Sequence, residues 1–424
     1  MNDNNEFKNI LVISNYSIFE NSPLGITLRS IFKEWPENKV FEIYRHQTQD
    51  LNNNFSIKSL QLPLKCLPIY NLIRIIGNRK EKYVNTKTTF QISKNDKLST
   101  KRKIKYLLKY FSESIFVMNK KSKAYEELVQ FKPEVIYTVG ESLFTLKASL
   151  FFSKKFNIPI VIHYMDNWRE TLYPNRGILK FLNLLFSKNL NEVENRMKNG
   201  LVISPKMKEK YSLINQNVNY NVLLNSIDNV QNNKEKSNIE EDTVIFSYIG
   251  GLHLNRWESL LEIEKCIVEL NKVGISSKLF IYTPNIDELQ FLDKFNKKYT
   301  VFKGYLSHDK VSHAYNKASI LVHIESFQKH VIRYTEYSLS TKIPECMSTG
   351  KPILCYAPKF LAVSDYINTT KSGIAVDNFN DLLKESINLA ENRELRKELG
   401  QNGVLTANKN HTYDRALEIL LETL

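Results

Sequence analysis

Short runs of apolar residues alternate along the chain with longer stretches in which apolar residues recur every three or four positions. In the N-terminal half the apolar runs are NILVISNYS (9–17), PEVIYTVG (133–140), IPIVIHYMD (158–166) and NGLVIS (199–204). Amphipathic stretches follow them, as in SPLGITLRSIFKEW (22–35) and ESLFTLKASLFFSKKF (141–156). Continuous apolar strands that alternate with helices of this spacing predict a doubly wound α/β domain.

The same alternation starts again after a polar, charged stretch. VIFSYIGGLHLNRWESLLEIEKCIVELNKVG (244–274) is typical of a strand, a glycine-containing loop and a helix, and later strands are predicted at SSKLFIYTP, YTVFK and ILVHI. We therefore predict an N-terminal domain over residues 1–229, a linker over 230–243, a second domain over 244–410 and a C-terminal helix over 411–424. The two strand series predict two doubly wound domains that face a cleft.

The stretch LSTKIPECMSTGKPILCYAP (339–358) combines signals for a helix and a strand. Pro344 fits the first turn of a helix, where its missing N–H is no loss. Gly350 suits a left-handed residue after the helix C-terminus. We predict a short helix that is followed at once by a core strand over 353–356. A helix N-terminus beside Lys342 can bind an anion such as a phosphate.

The net charge of the 424-residue chain is +14, and many of its cations lie between residues 70 and 123. From Arg74 onwards this segment holds only three acids, Glu81, Asp96 and Glu113. Nucleic acid, an anionic membrane surface and a phosphorylated lipid are partners that suit such a segment. The alternative is a solvated basic surface without a partner.

Composition narrows the class of protein further. Hydrophobic residues make up 42% of the chain, which indicates a globular protein, and no apolar run reaches the ~18 residues that a membrane-spanning helix needs. The N-terminus has no signal-peptide layout, so we expect a cytoplasmic protein. The four cysteines form no CxxC spacing and the eight histidines no HExxH pattern. We therefore predict reduced core thiols and no metal site.

Candidate binding residues follow the predicted strands of the second half. Ligands of open α/β sheets bind beyond the carboxyl ends of the strands, where loops from distant segments converge. Glycines there let a backbone approach a ligand, and cations with a helix N-terminus suit a diphosphate. The candidates are Gly250, Gly251, Asn255 and Arg256, then Gly304, Tyr305 and Leu306, then Glu325 and Ser326, and then Ser340, Thr341, Lys342 and Glu345.

The C-terminal half resembles retaining GT-B glycosyltransferases of the GT4-type family. That family pairs a G-x-L loop bearing basic residues with a late K-x-x-E-x-x-x-x-G-x-P segment, and this chain has YIGGLHLNR and KIPECMSTGKPIL. LLNSID is similar to the segment that leads into the family's second domain. HYMDNWRETLY and GITLRSIF resemble a subgroup common in bacterial capsule and O-antigen gene clusters. The resemblance is strongest from 245 to 360 and weakest from 50 to 125.

The resemblance implies roles for several residues. Arg256 and Lys342 would hold the diphosphate of a nucleotide sugar, and Glu345 would bind the ribose. The backbone near Tyr305 and Leu306 would hold the base. The arginine of the family's G-R-L loop is replaced by Gly251, which leaves Arg256 to carry more of the phosphate charge alone.

The carboxylate next to the transferred sugar departs from the family pattern. The family often has two glutamates with seven residues between them, and counting back from Glu345 reaches Tyr337. Glu336 is adjacent to that position and is the candidate catalytic carboxylate. Glu325 precedes what resembles an insertion.

Three residues of the first half are candidates for the acceptor side. His163 and Asp166 end the strand IPIVIHYMD, and Asp166 could orient an acceptor hydroxyl or accept its proton. The alternative is that Asp166 caps the next turn while Trp168 packs in the core. Gly25 either serves chain geometry alone or lets the backbone approach a substrate.

Together these features predict a GT-B glycosyltransferase that transfers a sugar with retention from a nucleotide-diphosphate sugar to a glycan. The resemblance implies an acceptor on a membrane lipid diphosphate, in surface polysaccharide synthesis. No cofactor or metal is expected, and the partners are the nucleotide sugar, the glycan and an anionic membrane on whose inner face the protein is peripheral. Alternatives are a GT-B-fold sugar-nucleotide epimerase, a basic nucleic-acid-binding protein and a catalytically silent partner subunit.

Overall fold

A computed structural model describes most of the chain. The described residues are 7–20, 22–46, 57–62, 100–114, 118–173, 177–227, 243–283, 291, 293–306 and 308–424. They form two compact units, of which the first contains the described residues up to Ser226 together with Tyr413–Leu424, and the second those between Ile227 and Thr412. The predicted linker at 230–243 lies outside the described residues except for Thr243, as does much of the basic segment at 70–123.

A parallel sheet of the order β3-β2-β1-β4-β5-β6-β7 forms the centre of the first unit, as far as it is described. Its core strands are apolar and buried on both faces, as expected for a parallel sheet between helices. The strands are β1 (Ile10–Ile13), β2 (Val40–Tyr44), β3 (Lys58–Gln61), β4 (Val135–Thr138), β5 (Ile160–Tyr164), β6 (Asn199–Val202) and β7 (Asn219–Val222).

Serine caps begin several helices of the first unit. The side chains of Ser22, Ser122, Ser142 and Ser204 each accept a hydrogen bond from a backbone N–H of the first turn. The described helices are α1 (Pro23–Ile31), α2 (Thr100–Ser114), α3 (Lys123–Phe131), α4 (Leu143–Phe156), α5 (Trp168–Thr171), α6 (Lys180–Glu194) and α7 (Pro205–Ile214).

The second unit has its own parallel sheet, of the order β10-β9-β8-β11-β12-β13. Its strands are β8 (Val244–Ile249), β9 (Ser277–Tyr282), β10 (Thr300–Gly304), β11 (Ile320–Ile324), β12 (Ile353–Tyr356) and β13 (Gly373–Val376). Its described helices are α8 (Arg256–Lys272), α9 (His308–Asn316), α10 (Lys329–Thr335), α11 (Lys342–Ser348), α12 (Ala362–Thr370), α13 (Phe379–Glu391) and α14 (Arg393–Asn410). Two doubly wound parallel sheets confirm the predicted fold class.

The last helix, α15 (Tyr413–Thr423), joins the core of the first unit. Ala416, Ile419 and Leu420 are buried with Leu28 and Ile31 of α1 in one apolar cluster. The polypeptide thus returns to the unit in which it began.

The stretch around the short helix α11 has the predicted local structure. Pro344 is its third residue, and Gly350 follows it with φ of +71°, in the left-handed region that favours glycine. Strand β12 covers the predicted 353–356. Helix α14 packs closely on this turn, because a Cβ on Gly400 would lie 1.9 Å from the carbonyl oxygen of Gly350.

Gly400→Ala should lower the free energy of unfolding by about 1–3 kcal/mol, because the added methyl group overlaps the backbone of Gly350. Chemical denaturation measures the loss. Gly403→Ala is the matched control on the same helix, since its Cβ would lie 3.2 Å from the carbonyl oxygen of Met347 and alanine is the better helix former. An equal or smaller loss for Gly400→Ala than for Gly403→Ala would contradict this packing.

Candidate functional site

The loops after β8 and β11 lie side by side in the second unit. These two strands are neighbours, but the chain leaves β8 for β9 on the other side, so their carboxyl ends form the switch point of the sheet. Asn255, in the loop after β8, donates from Nδ2 to Oε1 of Gln328 at 2.6 Å. The sequence prediction that these segments converge is confirmed at this point.

The partly buried Arg256 and the buried Glu325 form a bidentate ion pair across the switch point. Nη2 of Arg256 lies 2.8 Å and 3.0 Å from the two carboxylate oxygens of Glu325, and Nε lies 3.2 Å from one of them. Burial alone would raise the pKa of Glu325, but the Arg256 guanidinium and His323 outweigh it and lower that pKa to about 2. A buried carboxylate thus already compensates part of the Arg256 charge. The expectation that Arg256 carries more of the phosphate charge stays a prediction.

A narrow crevice beside this pair brings together residues from distant segments. Its cavity volume is about 30 Å³, about the space of one water molecule. The Ser247 hydroxyl in its wall is buried and has no hydrogen-bond partner among the described residues. The predicted site residues in its wall are Gly250, Arg256, Ser340 and Lys342, joined by Tyr315, His323 and Cys346.

Glu345 is held by a tyrosine that the sequence did not single out. The hydroxyl of Tyr315, on α9, donates to Oε2 of Glu345 at 3.0 Å. Tyr315 is itself buried against Ala318 and Leu321. Burial next to Glu345 raises the pKa of the Cys346 thiol to about 12, which excludes a reactive thiolate at neutral pH. The hydrogen bond from Tyr315 orients the Glu345 carboxylate, which lies in the first turn of α11.

The glycines of the loop after β8 have a packing reason. A Cβ on Gly250 would lie 2.7 Å from the hydroxyl oxygen of Tyr248, which donates to the carbonyl oxygen of Gly251 at 2.7 Å. Leu254 and Asn255 then adopt φ of +58° each before α8 begins. The need for glycine at 250 therefore follows from the Tyr248 ring, whatever ligand the loop binds.

Two predicted groups lie apart from the crevice. Tyr305 and Leu306 follow β10 at the edge of the sheet, and the side chain of Tyr305 is 69% exposed. Glu336 ends α10, where its carbonyl oxygen accepts a hydrogen bond from Ala362. Within the described ranges its carboxylate forms no hydrogen bond or ion pair. Their predicted roles stay predictions.

In the first unit, Gly25 and His163 have structural explanations. Gly25 lies in the first turn of α1, where a Cβ would overlap the carbonyl oxygen of Glu20. His163 is fully buried in β5, where Nδ1 is 2.7 Å from the Tyr137 hydroxyl, and burial lowers its pKa to about 3. These placements do not support substrate binding, because backbone packing and the core account for both residues.

Asp166 lies just after β5 and is partly exposed. Its carbonyl oxygen accepts a hydrogen bond from the N–H of Trp168 at 2.8 Å, which starts the turn into α5. This contact fits the capping alternative at the level of the backbone. The predicted role of the carboxylate stays a prediction.

The sequence analysis missed a polar cluster at the switch point of the first sheet, between β1 and β4. The N–H of Asn15 donates to Oε1 of Glu141 at 2.6 Å, and the Ser142 hydroxyl donates to Oδ1 of Asn15 at 2.9 Å. Burial raises the pKa of Glu141 to about 7. Asn15 and Glu141 closely follow apolar strands, so the rule that we applied to the second half could have found them.

Glu325→Gln should lower the free energy of unfolding by about 2–4 kcal/mol, because it leaves the mostly buried Arg256 charge without its counterion. Removing both charges in Arg256→Gln/Glu325→Gln should cost less than the sum of the two single variants. Urea titrations measure these differences. Glu269→Gln is the control, since the Lys272–Glu269 pair is exposed and worth at most about 1 kcal/mol. An additive double variant would contradict the coupling.

Comparison with known proteins gives one family match. Residues 276–422 match the family described as Glycosyl transferase-like. No curated protein matches the sequence.

Solved structures share the fold over nearly the whole chain. HepE of Anabaena, in complex with UDP, has a TM-score of 0.62 and 12% identity, covering 98% of each chain. Sucrose-phosphate synthase of Thermosynechococcus elongatus has a TM-score of 0.60 and 11% identity, covering 97% of each chain. WaaG, a glycosyltransferase involved in lipopolysaccharide biosynthesis, has a TM-score of 0.55 and 12% identity, covering 97% of this chain and 99% of its own.

At such identities the structural likeness shows the fold alone, which is GT-B. The family match covers the second unit from β9 onwards, including the segment with Lys342 and Glu345. The fold and the family match together support a glycosyltransferase.

Proposed function

We propose that the protein is a retaining glycosyltransferase that takes a sugar from a nucleotide-diphosphate donor and transfers it to a hydroxyl of a glycan. The observation that carries the proposal is the crevice of the second unit, where Arg256 and Lys342 line one small polar space at the carboxyl ends of parallel strands. Two cations at such a point suit a diphosphate. HepE, which shares the fold, was crystallised with UDP and with UDP-glucose.

In this proposal each donor group has its own partner. The diphosphate lies against Arg256 and Lys342, with Glu325 fixing the direction of the Arg256 guanidinium. Glu345, held by Tyr315, accepts hydrogen bonds from the ribose hydroxyls. The base lies against the backbone near residues 305–306.

During transfer, the bond between the anomeric carbon and the diphosphate oxygen breaks, and the acceptor oxygen bonds to the same face of the sugar. The acceptor proton passes to the leaving diphosphate. Asp166 orients the acceptor hydroxyl, and Glu336 lies next to the transferred sugar. The cations Arg256 and Lys342 stabilise the charge that develops on the leaving group, so we propose that no metal is needed and that activity persists in a chelator.

We further propose an acceptor carried on a membrane lipid diphosphate, as in bacterial surface polysaccharide synthesis of the GT4 type. The protein would work in the cytoplasm, docked on the inner leaflet. The basic segment at 70–123 and the net charge of +14 support this part. None of the helices within the described ranges is long and apolar enough to cross a bilayer.

Turnover of the donor without an acceptor would indicate a sugar-nucleotide epimerase instead of a glycosyltransferase.

Lys342→Ala should remove a charge-assisted contact with the diphosphate, worth on the order of 1.5–3 kcal/mol. Calorimetric titration should then show at least about tenfold weaker binding of UDP, or of whichever nucleoside diphosphate the parent binds, with an unchanged melting temperature of the free protein. Lys272→Ala is the control and should bind like the parent, because Lys272 lies at the end of α8 that is opposite to Arg256. Unaltered affinity in Lys342→Ala would remove this residue from the site.

Glu345→Gln should weaken nucleoside diphosphate binding but leave pyrophosphate binding unchanged, because only the nucleotide has a ribose. The amide oxygen can still accept the Tyr315 hydrogen bond, so the melting temperature without ligand should barely move. Parallel titrations with the two ligands make the comparison. Equal losses for both ligands, or a large loss of stability with normal affinity, would mean that Glu345 only supports the helix.

A further inference from the structure

Helix α6 exposes an apolar stripe on the face opposite to the core. Its inner face buries Leu182, Phe186 and Leu190. On its outer face Phe181, Leu184 and Leu185 are 42%, 58% and 38% exposed. Residues with a spacing of three and four lie on one side of a helix, so these side chains form a continuous stripe and are not scattered.

Helix α2 exposes a second stripe. Ile104 and Phe111 are 44% and 54% exposed, and they lie two helical turns apart on the same face. Leu108, between them, is partly exposed.

The two stripes belong to neighbouring helices of the first unit. Both α2 and α6 pack on α4. The ring of Tyr173 lies between them, with its centroid 6.0 Å from that of Tyr110 on α2 and 5.6 Å from that of Phe186 on α6. The Tyr173 hydroxyl also donates to Glu113 of α2 at 3.3 Å. The helices that carry the two stripes are therefore linked through Tyr173 and through their common packing on α4.

Cations accompany both stripes. Lys180 and Lys188 of α6 are exposed at either end of its apolar residues, and the exposed Glu192 is paired with Lys154 at 2.7 Å. Lys103 of α2 is exposed, and Lys101 and Lys105 belong to the same helix. Lysines beside an apolar stripe can keep their ammonium groups in the headgroup layer while their stems and the apolar side chains enter the acyl boundary.

We propose that the paired stripes of α2 and α6 form one docking surface for an anionic phospholipid bilayer. The charge of the surface favours this occupant over a second copy of the chain, since two copies would bring like-charged lysines together. This inference rests on the proposed lipid-linked acceptor. It extends the membrane-docking surface to α6, which lies outside the basic segment at 70–123. Lysines attract the protein to the leaflet, and the apolar residues of both helices hold it there.

Flotation of the full chain with vesicles tests the proposal. Vesicles contain phosphatidylcholine alone or phosphatidylcholine mixed with phosphatidylglycerol. The parent should float with the mixed vesicles only, and salt should weaken its binding. The variant Phe181→Ser/Leu184→Ser/Leu185→Ser keeps every lysine and should lose about tenfold or more in vesicle partition. Leu213→Ser is the matched control, because Leu213 is 78% exposed on α7, outside both stripes, and should float like the parent.

Three further measurements distinguish bilayer docking from dimerisation and from nucleotide binding in the second unit. A variant with Lys101, Arg102, Lys103 and Lys105 changed to Gln should lose the salt-dependent part of binding. Light scattering should show the same mass for the parent and the α6 variant, and a dimer that the variant abolishes while vesicle binding persists would overturn the proposal. A parent that ignores anionic vesicles at low salt, or an α6 variant that floats as well as the parent, would also overturn it. Titration of the same proteins with UDP separates the two proposals. The second unit could fail to bind UDP while the protein still binds anionic vesicles.

Discussion

The site of the second unit depends on the ion pair between Arg256 and the buried carboxylate of Glu325. A carboxylate that is 4% exposed stays ionised in this position because a guanidinium meets both of its oxygens. The pair joins the first residue of α8 to the residue after β11, and the two lie far apart in the sequence. The pair thereby fixes the direction of the Arg256 guanidinium, which lines the crevice. Lys342 on α11 also lies in the wall of this crevice.

Local and periodic features could be predicted from the sequence because each rests on neighbouring residues. Apolar runs predicted β1, β4, β5 and β6 of the first sheet and β8 to β12 of the second, but not β2 or β3. Pro344 and Gly350 marked the start and the end of α11. The carboxyl-end rule also placed Gly250, Arg256 and Lys342 on one crevice, since parallel strands carry their loops to one edge.

Contacts between distant residues could not be predicted in this way. No residue near Arg256 in the sequence indicates that its ion-pair partner lies 69 positions away. Likewise, no residue near Glu345 indicates the hydrogen bond from Tyr315. Both explanations of Gly25 stayed open at the level of the sequence, because a glycine that lets a ligand approach and a glycine that lets its own backbone approach look the same there. His163 followed the apolar pattern of a strand and was buried with it, where a neutral imidazole costs less than a charged one.

The central claim is that the crevice of the second unit binds the diphosphate of a nucleotide. Hydrogen exchange of backbone amides, followed by mass spectrometry with and without UDP, ADP and GDP, tests it most directly. For at least one nucleotide, peptides that span 247–258 and 338–347 should be protected, while those around Asn15 and Glu141 should not. Protection that avoids both segments of the crevice, or none with any of the three nucleotides, would contradict the account.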